Sequence, residues 1–281
     1  MNFYLGCAVW SYPGWVGNLY PPKSQPAEFL RLYSQRFTAV EGNTTFYATP
    51  QPKTVQRWSQ ETAAGFKFCV KLPASVTHQG LLAPRLPQAL EFLERMQEFG
   101  DRLGPAFAQL PPHYSPARLN DLTTFLAAVS PRYALALEVR HPDWFVEPYS
   151  MQLDTLLKEY RVGTVVLDTR AIYSSNDSHL KAQSRKPSLP LHPKVTANFT
   201  LVRYISHPQH SQNQAYLAEW VKRVEDWLRQ GVPVYFFVHC PEELHSPTMA
   251  RYFQQMLEQQ GVPVPPLPWN QEDLPEQLSL F

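Results

Sequence analysis

Eight short apolar runs recur along the chain, and they limit its fold more than any other feature. They are Phe3–Val9, Ala39–Asn43, Phe66–Lys71, Ala106–Leu110, Ala134–Val139, Thr164–Asp168, Phe199–Tyr204 and Val234–Val238. Most are apolar at consecutive positions, the pattern of strands covered on both faces, as in a parallel sheet. Between them, residues of helical period span Pro26–Arg36, Lys53–Thr62, Pro87–Phe99, Pro116–Val129, Tyr149–Tyr160, Gln212–Arg229 and Pro247–Gln259. Several of these start at or just after a proline, which suits a first helical turn. The connection from Ala171 to Ala197 has no apolar period and reads as a long irregular loop. Such alternation predicts an α/β fold, a closed (β/α)8 TIM barrel; an open doubly wound sheet is the competitor, and the near-even spacing favours closure. With 281 residues, one barrel domain is expected over residues 1–262, followed by a proline-rich linker and tail over 263–281.

The charge balance, 25 basic against 24 acidic residues, advertises neither nucleic acid nor membrane. A nucleic-acid role needs a local basic patch, and the loop carrying Arg170, Lys181, Arg185, Lys186 and Lys194 offers one. No run approaches the ~20 apolar residues of a membrane span, and the first residues lack the basic start of a secretory signal. Three cysteines, odd in number and without a C-x-x-C pair, suit a reducing compartment. A cytoplasmic protein without a membrane segment is expected.

In a barrel, polar residues just past each strand's C-terminal end line the site. That rule gathers Trp10, Tyr12, Glu41, Asn43, Tyr47, Lys71, His78, Gln109, Glu138, Arg140, His141, Trp144, Asp168, Arg170, Arg203 and His239 at one rim. Charges at strand ends are costly unless paired or used, so the cluster points to a site; the competing reading is an ion-pair network that closes the barrel top. Glu41, Glu138, Asp168 and His141 are the candidate acid–base groups. Trp10, Tyr12, Asn43, Tyr47, Lys71, His78, Arg140, Trp144 and Arg203 are the candidate substrate contacts, the aromatic rings as stacking surfaces for a base or sugar. Their alternative role is a hydrophobic plug under the loops. Glu41, Glu138, Asp168, His141 and His239 form a weak candidate set for a divalent metal, since no H-E-x-x-H or H-x-H spacing supports it; the cofactor is otherwise unassigned. Cys240 beside His239 is a poor nucleophile–base pair, because neighbours on a strand face opposite ways. Glycine-rich phosphate motifs and G-x-S-x-G are absent. The loops 202–211 and 238–246 hold no glycine, which disfavours a backbone phosphate nest and leaves Arg203 as a side-chain anion contact.

Several of these segments resemble one family. Gly6–Trp15 (G-C-A-V-W-S-Y-P-G-W), Phe37–Tyr47 (F-T-A-V-E-G-N-T-T-F-Y), Thr77-His78, Glu138–Trp144 (E-V-R-H-P-D-W), Asp168–Arg170 and Arg203-Tyr204 are similar to the YecE-like proteins of domain of unknown function 72. The resemblance covers about residues 3–255. It implies a (β/α)8 barrel and, through that family's likeness to xylose-isomerase and endonuclease IV barrels, a link to DNA binding or repair; it names no reaction. The chain departs from the family pattern at Ile205–His207, where glycine is common, and at Val238–Cys240, where asparagines are common.

The last five residues, Gln277-Leu278-Ser279-Leu280-Phe281, are similar to the peptide by which bacterial DNA-processing proteins hold the sliding clamp. Gln277, Leu278, Leu280 and Phe281 are its candidate partner-binding residues; folding back onto the barrel is the alternative. Three functions remain open: an enzyme on a phosphorylated sugar or DNA, a non-catalytic accessory that binds nucleic acid or the clamp, and an enzyme on a small carbohydrate.

Overall fold

The computed structural model describes residues 2–184 and 186–271. Eight parallel strands form in chain order: β1 (Phe3–Cys7), β2 (Ala39–Gly42), β3 (Lys67–Val70), β4 (Ala106–Gln109), β5 (Leu135–Glu138), β6 (Gly163–Asp168), β7 (Thr200–Ile205) and β8 (Val234–His239). Six of them form one sheet in the order β1-β8-β7-β6-β5-β4, and β2 pairs with β3. Parallel bridges at Phe68–Leu103 and Lys71–Phe107 join β3 to β4. The β1–β2 joint is made differently. The Thr38 amide donates to Leu5 O (3.1 Å), the Leu5 amide donates to Thr38 Oγ1 (2.9 Å), and the Cys7 amide donates to the Tyr33 hydroxyl (2.6 Å). That hydroxyl in turn donates to Ala39 O (3.2 Å). A Cβ at Gly6 would stand 1.8 Å from Ala39 O, so only glycine lets the two strands approach here.

Amphipathic helices follow the strands and cover the barrel: Phe29–Ser34, Pro52–Glu61, Leu86–Met96, Leu119–Val129, Tyr149–Glu159, Gln214–Arg229 and Ser246–Gln259. After β6 the expected irregular connection carries two short helices, Arg170–Tyr173 and Ser178–Gln183. Two main apolar regions result, with a small third cluster of Leu167, Ile172 and Ile205. The larger lies between strands and helices. The smaller fills the barrel interior with Tyr4, Cys69, Phe107, Leu201, Tyr235 and Phe237 among others. Because strand side chains alternate, each strand gives one set of residues to each region. The segment read as a linker lies against the barrel up to the last described residues. Leu267 is buried, and the Trp269 ring meets Phe37 edge-on (5.7 Å) and the Arg251 guanidinium (4.6 Å).

Candidate functional site

Above the apolar filling, the inward set ends in polar residues: Glu41 on β2, Lys71 just after β3, Gln109 on β4, Glu138 on β5, Arg203 on β7 and His239 on β8. All six are buried. Arg203 is the hub. Its Nε and Nη2 donate to Glu41 Oε2 and Oε1 (both 2.8 Å), and its Nη1 donates to Glu138 Oε2. The other oxygen of Glu138 accepts from Arg140 Nε (2.6 Å). Burial opposes ionisation of Glu41, but Arg203 and then His239 hold its carboxyl well below the usual range. Burial likewise opposes ionisation of Glu138, and Arg140 and Arg203 outweigh it. Both carboxylates are therefore ionised fixtures. Neither suits the acid–base role expected for it, because its charge is already engaged by guanidinium.

The histidines here are neutral. Burial lowers His239 to about 4 despite the favourable Glu41 carboxylate. A carboxylate only accepts hydrogen bonds, so His239 Nε2 must carry the proton it shares with Glu41 Oε2 (2.8 Å). Burial, with Lys71 and Arg140, lowers His78 to about 4. Its Nδ1 pairs with Thr77 Oγ1 (2.8 Å), and its Nε2 faces the Gln109 amide nitrogen (3.4 Å). Lys71 Nζ donates to Gln109 Oε1 (2.7 Å) and sits 3.9 Å over the Phe46 ring. Burial and Arg203 bring Lys71 down to about 7.

Two further residues join from loops. Lys186, from the connection after β6, interacts with Arg203, Glu41, Arg140 and Glu138; burial and Arg203 lower it to about 8. Its backbone is held by the Tyr173 hydroxyl, which donates to Lys186 O (2.5 Å). Glu243 follows β8, and burial raises it to about 7. Its Oε2 accepts from Ser246 Oγ (2.8 Å), and the Trp15 indole donates to its carbonyl (2.9 Å). Lys186, Asn43, His239 and Glu243 line a cavity of about 540 Å³ at this end of the barrel. A depression of about 370 Å³ at the opposite end, near Gly104, Asn198 and Pro233, has no comparable charged cluster. Lys186 had a weak signal in the sequence, its basic loop; Glu243 had none.

Four expected site residues lie elsewhere. Asp168 is outward, because its neighbour Leu167 takes the inward position. It accepts from Trp220 Nε1 (2.7 Å) and pairs with Arg170 (3.0 Å). His141 caps the turn at Pro142–Phe145, its Nδ1 accepting from the Asp143 amide (3.2 Å). Trp10 is buried edge-on against Trp58 and Phe68. Trp144 is buried, and its indole donates to Tyr114 O (2.8 Å). Both tryptophans are core, so the stacking surface shrinks to Tyr12, Phe46 and Tyr47. Of these Tyr12 leans on Trp15, and Tyr47, 81% exposed, meets Phe46 edge-on. Asn43 remains at the mouth, its amide donating to Ala8 O (3.1 Å).

The metal set is likewise divided, with Glu41 and Glu138 bound to arginine and Asp168 and His141 outside the barrel. Among the described residues, no group of three or more His, Cys, Asp or Glu is disposed to hold a metal ion. The basic loop loses Arg170 to Asp168 and Glu219 (2.7 Å). Arg185 and the tail residues Gln277, Leu278, Leu280 and Phe281 lie outside the described residues. The three cysteines are free and buried. No helix among the described residues is long and apolar enough to cross a membrane.

Fold and rim together define a (β/α)8 barrel with its charged cluster at the strand C-termini. The chain belongs to the family described as protein of unknown function DUF72, whose model matches residues 4–272. It is 32% identical to the UPF0759 protein YecE of Escherichia coli over 282 residues, covering 99% of each chain. It is 24% identical to the UPF0759 protein YunF of Bacillus subtilis, covering 83% of this chain and 86% of that one. Crystal structures of DUF72 family proteins share the fold. One from Enterococcus faecalis superposes with a TM-score of 0.70 at 16% identity over 91% of this chain and 95% of that chain. One from Thermotoga maritima gives 0.67 at 22% identity over 92% and 100%.

Proposed function

We propose that the protein binds a phosphorylated ligand, a sugar phosphate or a nucleic-acid strand, at the barrel mouth and acts on it by proton transfer. One observation carries this reading. Four basic groups, the permanent cations Arg203 and Arg140 and the titrating Lys71 and Lys186, share the mouth with two ionised carboxylates, Glu41 and Glu138, and a third carboxyl, Glu243, raised to about 7. Excess buried charge of one sign is costly, and an anion relieves it. Glu41 and Glu138 then serve to fix the guanidiniums. Proton transfer falls to a group that titrates near neutrality and is not needed to hold the phosphate, Glu243. Burial of Trp10 and Trp144 removes the main support for an unphosphorylated carbohydrate.

Calorimetric titration with ribose 5-phosphate and with ribose tests the reading. The phosphorylated sugar binds, with an affinity that falls as salt rises, and ribose does not. Equal behaviour of the two sugars overturns it. Arg140→Ala weakens the phosphorylated sugar by about tenfold or more, the worth of one charge-assisted contact.

A second reading rests on the sequence Gln277–Phe281. Two leucines and a phenylalanine entering apolar pockets contribute about 1.5–3 kcal/mol each before ordering costs, which suits a micromolar clamp contact, roughly −8 kcal/mol. Pull-down with purified sliding clamp, comparing the full chain with one lacking residues 277–281, decides it; equal recovery removes it. Free cysteines fit the cytoplasmic setting both readings require.

A further inference from the structure

The charges at the mouth differ in how completely they are answered. Arg203 spends its donors on Glu41 and Glu138. Arg140 shares Glu138 through Nε, but its Nη2 is buried and has no hydrogen-bond partner among the described residues. A buried N–H donor left open calls for an acceptor that the protein does not supply. Lys71 has an amide oxygen and an aromatic ring as neighbours, and no carboxylate within bonding distance. No hydrogen bond from Lys186 Nζ forms among the described residues, although two contacts position its stretch of chain. Tyr173 holds its carbonyl, and Thr169 Oγ1 donates to the next carbonyl, Pro187 O (3.2 Å). Two carboxylates thus offset two guanidiniums, and two ammonium groups are left over.

We propose that Arg140 Nη2, Lys71 Nζ and Lys186 Nζ form a seat for a phosphate monoester dianion, a terminal phosphate rather than a phosphodiester within a strand. This rests on the reading that the mouth takes a phosphorylated ligand, and narrows it. A monoester carries nearly two negative charges above its second pKa of about 6, matching the two ammonium groups once both are protonated. A diester carries one charge and must continue as chain on both sides.

The seat has a thermodynamic signature. Without ligand, Lys71 titrates at about 7 and Lys186 at about 8. Lys71 is acted on by Arg203, Glu138, Glu41 and Lys186, and Lys186 by Arg203, Glu41, Arg140 and Glu138; the neutral rings of His78 and His239 face Lys71 and Lys186 respectively, and Glu243 faces Lys186 across the cavity. A dianion placed between the ammonium groups raises both, so binding at pH 8 draws protons from solution, about one per site by linkage.

The test is calorimetry at pH 8 in two buffers of different ionisation enthalpy, using ribose 5-phosphate and dimethyl phosphate as probes. The expected result is net proton uptake with the monoester and an affinity for the diester weaker by about tenfold or more, one charge contact. Lys186→Met, a half-buried loop position, lowers both monoester affinity and proton uptake. Diester binding as tight as monoester binding overturns the seat, as does monoester binding without proton uptake, and both leave the phosphorylated-ligand reading standing. Failure of both probes, and of a 5′-phosphorylated oligonucleotide, to bind removes the seat and that reading together.

Discussion

Two arginine–carboxylate clusters form at the same end of this barrel, one on each side of the strand wall, and their charge balance differs. On the outer side, Asp168 accepts from Arg170 through both oxygens and from the Trp220 indole. The spare Nη1 of Arg170 goes to Glu219, and its guanidinium lies 4.8 Å from the Tyr216 ring. Every donor in that set has an acceptor. On the inner side, Arg203 is equally well satisfied, yet it is surrounded by Arg140, Lys71 and Lys186, which are not. The outer cluster accounts for itself as structure: it ties β6 to the helix Gln214–Arg229. The inner one does so only at its centre. Strand-end charge alone therefore does not mark a site; charge that the protein leaves unanswered does.

Replacing each hub sharpens the contrast. Arg203→Met leaves buried Glu41 with neutral His239 alone and Glu138 with Arg140 alone, and should cost about 3–5 kcal/mol, measured as the loss of unfolding free energy in urea. A loss below about 1 kcal/mol would mean that water reaches the cluster. Trp220→Phe removes one donor from buried Asp168 and should cost about 1–3 kcal/mol. It should leave ribose 5-phosphate affinity untouched; a parallel fall in affinity would erase the distinction between the two sides.

Lys71→Met should act in the opposite direction. The folded chain releases the Lys71 proton at about 7 and the unfolded chain at 10.5, so between these values the unfolded chain holds more protons and stability rises with pH. Removing the amine lifts a penalty that is complete below about pH 7 and absent above 10.5. After the lost Gln109 contact is allowed for, the gain is about 1–2 kcal/mol at pH 6, shrinking to nothing by pH 10.5 in melting curves across that range. A gain independent of pH would show that Lys71 is not desolvated. The smallest effect belongs to Lys186→Met above pH 10.5, where neither state of that lysine is charged: within about 0.5 kcal/mol in unfolding free energy; a larger loss there would make that lysine part of the fold.

The strands were legible from the sequence because a parallel barrel buries both faces, and apolar runs of the right length show this directly. The same property hid the direction of each side chain. In Gly163–Asp168 both faces are apolar up to the last residue, so nothing in the run tells whether Leu167 or Asp168 points inward. Glu41, Lys71, Glu138, Arg140 and Arg203 were found by standing at or just past strand ends, and they also have inward parity. Asp168 satisfied the first condition and not the second. Trp10 and Trp144 followed strand ends closely but belong to turns that fold back over the helices. Lys186 and Glu243 lie in segments without periodicity, where distance along the chain says little about distance in space.

The joint between β1 and β2 has a consequence for how the ring breathes. Between β7 and β8 the amides are protected by a ladder that must open as a unit. At this joint the Leu5 and Cys7 amides are covered by a threonine and a tyrosine hydroxyl, which depart by rotating a side chain. Deuterium should therefore enter the barrel wall first at these two positions, ahead of the β7 and β8 amides whose ladder runs unbroken from Thr200 to Ile205.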